Sequence, residues 1–217
     1  MADYEYPVVV ENLVARYGSR TILDGVSTRV AKAEIRVILG GSGSGKSTLM
    51  KHIIGLLRPA AGRVELLGTN LVEADEPEIE EVMGRVGMMF QAGALLNSMN
   101  LHDNVALPLR ERTQLPPRRI DEVVRMKLAM FDLTHAAELS PKELSGGMLM
   151  RAAIARALAL DPEILFFDEP SAGLDPITAA GLDQLLLAIR DQFGMAMVVV
   201  THELESIKTI ADCVTML

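Results

Sequence analysis

Residues 35–57 read IRVILGGSGSGKSTLMKHIIGLL, and this stretch decides the fold. The apolar run 35–39 has the length and composition of a buried strand, and residues 46–57 carry helical spacing. Between them, residues 40–47 satisfy G-x-x-x-x-G-K-[ST] in the order strand, Gly-rich loop, helix. Glycines let consecutive backbone N–H groups converge on phosphate oxygens without Cβ interference. Lys46 has the reach to meet terminal phosphates, and the Ser47 hydroxyl suits Mg²⁺. A phosphate-binding loop of this kind belongs to a parallel α/β sheet.

Outward from it, residues 8–14 and 27–30 read as strands of an antiparallel start, and 62–67 as a further strand. An acidic stretch at 73–81 predicts a solvated loop with a short helix, and 86–90 returns to strand character. From 101 to 160 the pattern is helical, with helices at 105–113, 118–131 and 147–160 and a Pro116-Pro117 loop. Strand–helix alternation resumes with 164–167, 179–193, 196–200 and 203–211, and residues 214–217 look like the start of another strand. The expectation is an α/β core at 1–91 and 161–217 with an antiparallel N-terminal part, and a helical insert at 92–160. No internal repeat or low-complexity linker interrupts it.

Composition removes other classes. The 217 residues carry a net charge of -8, no Trp and only 4% aromatics, which argues against nucleic acid as a partner. Despite 49% hydrophobic residues, the longest apolar runs are strand-length, far from the ~20 residues of a spanning helix. The N-terminus lacks the basic-then-apolar layout of a secretion signal. A single cysteine, Cys213, excludes an internal disulfide and is expected to be a small buried apolar residue.

Residues 164–170, ILFFDEP, end an apolar strand in two carboxylates. With a phosphate loop upstream, Asp168 is placed toward Mg²⁺ and Glu169 toward polarising a water as general base. His202 follows the strand 196–200 and faces the same sheet edge. It is no zinc ligand of the H-E-x-x-H kind, because position 206 is Ser206. His52, His102 and His135 lack any constellation and read as surface or helix-face residues. Two residues keep two readings each. Gln91 either reaches Mg²⁺ or the lytic water, or bonds its own loop. Tyr17 either stacks on a base or packs.

Residues 144–148, LSGGM, put Ser145, Gly146 and Gly147 at a helix N-terminus, a second anion site with free N–H groups and a capping hydroxyl. Alone it is an ordinary capped helix. Since one phosphate group is already cradled at 40–48, the second site suggests pairing with another subunit's nucleotide.

The ordered set Tyr17, GGSGSGKST (residues 40–48), Gln91, LSGGM, ILFFDEP, Ser171–Asp175 and His202 resembles the ATP-binding cassette of ABC transporters over nearly the whole chain. The resemblance implies a RecA-like P-loop NTPase core with an antiparallel β subdomain and an inserted helical subdomain. It further implies a Mg²⁺-dependent ATPase in which two ATP molecules lie between two copies of the chain. Tyr17 becomes the adenine stack. Gly40, Gly41, Ser42, Gly43, Ser44, Gly45, Lys46, Ser47 and Thr48 become the phosphate loop, and Ser145, Gly146 and Gly147 the signature. Ser47, Gln91 and Asp168 become Mg²⁺ contacts, and Lys46, Gln91, Glu169 and His202 the catalytic set.

Met148 stands where most members have Gln. With residues 90–95 and 104–111, it makes the chain similar to the ATPase of Mla-type, Mce-associated phospholipid transport. That implies a homodimer on transmembrane permease subunits, with an Mce-domain lipid-binding protein and a small accessory subunit. It also implies a peripheral place on the cytoplasmic face of a bacterial inner membrane. Family members usually continue past 214–217, so the chain is expected to be incomplete there. A DNA-repair or translation ATPase would carry a coiled-coil insert, a basic face or a duplicated cassette. A non-catalytic module would have lost Lys46, Glu169 or His202, and within transporters an ABC importer or exporter of another substrate is the serious rival.

Overall fold

The computed structural model describes residues 4–217. Two sheets lie against each other. The first is antiparallel and is built from β1 (Val8–Tyr17), β2 (Arg20–Val30), β4 (Ala61–Leu66) and β5 (Thr69–Asn70), in the order β2-β1-β4-β5. The second is parallel: β6 (Val86–Met89), β7 (Ile164–Asp168), β8 (Ala196–Val200), β3 (Ile35–Leu39) and β9 (Cys213–Met216), in that spatial order.

Strand β8 is apolar at every position and β7 from Ile164 to Phe167, because both faces of the parallel sheet are covered there. Side chains alternate across a strand, so neighbours in sequence enter different cores. Ile164 and Phe166 join the core shared with the antiparallel sheet and α1 (Lys46–Ile53), whereas Leu165 and Phe167 join the helical core. That second core contains α3 (Leu101–Arg112), α4 (Pro117–Met130), α5 (Gly146–Ala157), α6 (Pro176–Phe193) and α7 (Leu204–Ile210).

Capping chemistry sets several boundaries that periodicity alone misjudges. Asp75 accepts from the Glu78 N–H, and the Glu78 side chain accepts from the Asp75 N–H, so α2 (Glu76–Met83) forms within the acidic stretch. Asn100 caps α3 through the Asp103 N–H and starts it at Leu101, four residues before the expected position. Asp175 accepts from the Ile177 and Thr178 N–H groups and, with Pro176 next, starts α6 at 176 rather than 179. The two-residue β5 carries too little periodicity to register in sequence.

Two expectations are corrected. Cys213 is exposed, not buried, because β9 lies at the edge of the sheet and, among the described residues, pairs only with β3. His52 is buried, with Nδ1 2.8 Å from the Thr48 carbonyl one turn earlier in α1. His102 has partners too: its Nε2 lies 2.9 Å from Asp121 and ties α3 to α4.

Candidate functional site

Parallel strands in register end at one edge, and here that edge collects the polar residues. Met89 pairs with Phe167, Phe167 with Val199, and Val199 with Val37. Gln91, Asp168 with Glu169, His202 and Gly40 therefore all leave the sheet on the same side. The strand order β6-β7-β8-β3 lines them up.

The loop after β3 is built for an anion. Gly43 and Gly45 have φ of +77° and +103°, conformations that a side chain resists. A Cβ on Gly45 would stand 2.6 Å from Leu23 Cδ2, so this glycine also admits β2 against the loop. Nothing lies within 4 Å of a Cβ built on Gly41 or Gly43, which leaves the concave side open. Gly45 precedes α1 without a side-chain cap, and the first turn has no acidic residue, so its N–H groups are available to a ligand. Lys46 Nζ donates to the Gly40 and Gly41 carbonyls at 2.8 and 3.0 Å and arches over the loop. Ser42 and Ser47 are exposed, and Thr48 is half-buried. Ser44 Oγ is buried and has no hydrogen-bond partner, an orphaned polar atom inside the cradle.

Across the edge, Asp168 is half-buried. Loss of solvent and the neighbouring Glu169 carboxylate push its pKa up, while Lys51 and Lys46 pull it down. A carboxylate poorly solvated by protein and water, with cations nearby, is a ready partner for a divalent ion. Glu169 sits at φ +50°, rare for a non-glycine residue, and its N–H donates to the Val200 carbonyl at 2.8 Å. That bond latches the turn to β8 and holds the left-handed residue. The Glu169 carboxylate then meets His202 Nδ1 at 2.9 and 3.0 Å. This contact, with its Coulombic attraction, raises the His202 pKa, while loss of solvent and then Lys46 act the other way. The pair fixes the Glu169 carboxylate in orientation, as a general base requires.

Gln91 opens a 3-10 turn, Gln91–Gly93, one residue beyond the end of β6, and is exposed. Tyr17 ends β1, is 53% exposed, and pairs across the hairpin with Arg20. Two residues further along β2, Ile22 and Leu23 reach Gly45, so the hairpin end stands beside the phosphate loop. The tyrosine ring is presented, not packed away.

Ser145 caps α5, with Oγ accepting from the Met148 N–H at 3.3 Å. A Cβ on Gly146 would come within 3.2 Å of Leu174, and one on Gly147 within 3.0 Å of Thr178, so both glycines serve close packing against the start of α6. These residues line a cleft of about 860 Å³ with Met130, Arg151 and Leu182, and no residue of 40–48 lines it. The chain thus carries two anion-ready sites apart from each other. Sequence reading passed over Lys51, whose charge acts on Asp168, and Arg156, which donates to the Gly93 and Ala94 carbonyls beside Gln91. Lys51 had a detectable signal in its position five residues after Lys46. Arg156 had none.

A phosphate loop, a strand-end Asp-Glu pair and a histidine on one sheet edge define a P-loop nucleotide hydrolase with a separate glycine-rich helix start. A family model described as ABC transporter matches residues 23–172, and the chain belongs to that family of ATP-binding cassettes. It is 43% identical over 205 residues to the intermembrane phospholipid transport system ATP-binding protein MlaF of Haemophilus influenzae, covering 94% of this chain and 78% of the relative. It is 42% identical over 210 residues to the probable ribonucleotide transport ATP-binding protein mkl of Mycobacterium tuberculosis (strain ATCC 25618 / H37Rv), covering 97% of this chain and 58% of the relative. Among solved structures, the dimeric cassette MJ0796, in a post-hydrolysis state bound to ADP and Pi, superposes with a TM-score of 0.86 at 30% identity, over 97% of this chain and 94% of that one.

Proposed function

We propose that this chain is the Mg²⁺-dependent ATPase subunit of a bacterial phospholipid transporter, working as a homodimer on membrane-embedded permease subunits. The observation that carries the catalytic reading is the Glu169–His202 pair at 2.9 Å on the sheet edge that also bears the phosphate loop and Asp168. The lipid reading rests on the 43% and 44% identity to the MlaF proteins of Haemophilus influenzae and Escherichia coli (strain K12).

In this reading the N–H groups of residues 41–47 hold the β- and γ-phosphates. Lys46 exchanges its loop carbonyls for phosphate oxygens, and Tyr17 stacks on adenine. Ser47, Asp168 and Gln91 would hold Mg²⁺. Among the described residues no three His, Cys, Asp or Glu side chains form a metal cluster. One carboxylate plus substrate oxygens is a common way to hold Mg²⁺. When bound, Mg²⁺ would supply positive charge to offset that of the phosphates. Glu169 accepts a proton from the attacking water, and His202 keeps that carboxylate aimed while meeting the γ-phosphate.

Ser145, Gly146 and Gly147 complete the partner subunit's site, consistent with the absence of any residue of 40–48 from their cleft. ATP then joins two chains, and loss of the γ-phosphate releases them. Among the described residues no helix is long and apolar enough to cross a membrane. Peripheral attachment to the cytoplasmic face of the inner membrane, through permeases with an Mce-domain lipid-binding protein and a small accessory subunit, fits this role.

The test is reconstitution of the chain with its copurifying membrane partners in vesicles, followed by ATP-driven transfer of labelled phospholipid with and without Mg²⁺. Transfer that requires both ATP and Mg²⁺ supports the proposal. ATP turnover with no lipid movement, on a complex that retains another solute, would replace phospholipid by that solute. This second reading is favoured by the 42% identity to the mycobacterial mkl proteins, whose names specify ribonucleotide transport.

A further inference from the structure

The turn that carries Gln91 lies on one face of the signature helix. Gly93 and Ala94 adopt consecutive left-handed conformations, φ +74° and +46°, and their carbonyls accept from Arg156. Arg156 Nη1 lies 2.8 Å from the Ala94 oxygen and Nη2 lies 3.0 Å from the Gly93 oxygen, a two-pronged grip on adjacent peptides. One turn back along α5, a Cβ on Gly93 would stand 3.2 Å from Ala153 Cβ, and a further turn back it would be 3.6 Å from the Leu149 carbonyl. Leu149, Ala153 and Arg156 recur at the helical i, i+4, i+7 spacing and form one stripe. Leu149 donates its N–H to the Ser145 carbonyl, so the stripe begins where the signature caps the helix. Burial alone shifts the Arg156 guanidinium downward, with no carboxylate contributing. Among the described residues the guanidinium meets these two carbonyls and no carboxylate.

We infer that Arg156 is a positioning residue that fastens the Gln91 turn to the signature helix, so that displacement of Ser145–Gly147 moves Gln91. An α-helix twelve residues long behaves as a rod, and Ser145 and Arg156 are about 16 Å apart along it. A partner nucleotide that draws on the rod's N-terminus thereby acts on the turn at its other end. Gly93 is suited to this contact twice over: its φ excludes most side chains, and its missing Cβ lets the peptide settle on Ala153. The inference rests on the proposed role of Gln91.

The test measures ATP turnover of the full chain in its native membrane assembly for Arg156→Met, Arg156→Lys, Gln91→Ala and the Arg156→Met/Gln91→Ala pair. Met keeps the length and loses both donors, whereas Lys keeps one charged donor. We expect Arg156→Met to lower kcat about tenfold with KM for ATP within about twofold, since nothing in the phosphate loop is touched. Arg156→Lys should fall between it and wild type. Added guanidinium should restore part of the activity of a cavity variant, Arg156→Ala. The double variant should be no slower than Gln91→Ala alone, because both changes act on one group.

Wild-type kcat in Arg156→Met beside a slow Gln91→Ala would overturn the inference and leave the Gln91 role standing. A wild-type rate in Gln91→Ala would instead remove the role on which it rests. Should Arg156→Met fail to fold, Arg156→Lys and guanidinium rescue decide: additive loss in the Lys double variant, or no rescue of Arg156→Ala, counts against the tie.

Discussion

Replacing Asn104 by alanine should destabilise the chain well beyond an ordinary helix substitution, and the structure says why. Asn104 lies in α3 with no solvent exposure. Its Oδ1 accepts from the Leu96 N–H at 2.7 Å, and Nδ2 donates to the Leu96, Met99 and Asn100 carbonyls at 3.1, 3.3 and 2.9 Å. One buried amide therefore shapes the loop between the Gln91 turn and α3. The carbonyl losses are partly covered, since Leu96 O also accepts from the Met99 N–H and Asn100 O from the Asn104 N–H. The Leu96 N–H has no such reserve.

Leaving that donor unpaired costs about 1–3 kcal/mol, and the space vacated by the amide adds about 1 kcal/mol. Asn104→Ala should therefore lose about 2–4 kcal/mol in urea unfolding, with the midpoint of thermal unfolding lowered by roughly 2–4 °C per kcal/mol for a chain of this size. Asn104→Leu separates the two contributions. It fills the space yet still orphans the Leu96 N–H, so about 1–3 kcal/mol of the loss should remain. If Asn104→Leu is as stable as wild type, the hydrogen bonds are not what holds the loop, and the reasoning fails.

Titration offers another check. The Glu169 carboxylate raises the His202 pKa above its free value, about 6.5. The sign follows from linkage: the stabilisation from this contact is complete below about pH 6.5 and fades as pH rises through the folded-state value. NMR should show His202 titrating above 6.5, and Glu169→Gln should lower it; a wild-type value at or below 6.5 would remove the pair. Gly45→Ala places a Cβ at φ +103° and 2.6 Å from Leu23 Cδ2. A left-handed strain of about 1–3 kcal/mol on the phosphate loop should weaken ATP binding roughly tenfold or more, measured by calorimetry. Wild-type affinity in that variant would mean that the loop tolerates the strain.

The fold was largely legible because its signals are local and strong. The phosphate loop sits between a five-residue apolar strand and a helix, and the all-apolar strands at 164–167 and 196–200 announce a sheet covered on both faces. Motif residues also carried the sheet-edge convergence of Gln91, Asp168, Glu169 and His202, since parallel strands in register share an edge. Other features depended on tertiary placement. Cys213 read as buried because it is small and apolar, but an edge strand leaves it exposed. The φ of +50° at Glu169 has no sequence signature, and neither does the grip of Arg156 on residues 62 and 63 positions earlier in the chain. Two-residue β5 and the capped starts of α3 and α6 fell below what apolar periodicity resolves.

Glu169 is proposed as the general base of an ATP site completed by a second copy of this chain. Glu169→Gln keeps the size of the side chain and an oxygen for His202 while removing the basic carboxylate. Light scattering and ATP turnover measured on this variant with Mg²⁺ and ATP test that claim most directly. An ATP-dependent dimer should accumulate, with turnover reduced about 10²–10⁴-fold. A monomer that hydrolyses ATP at the wild-type rate would contradict it.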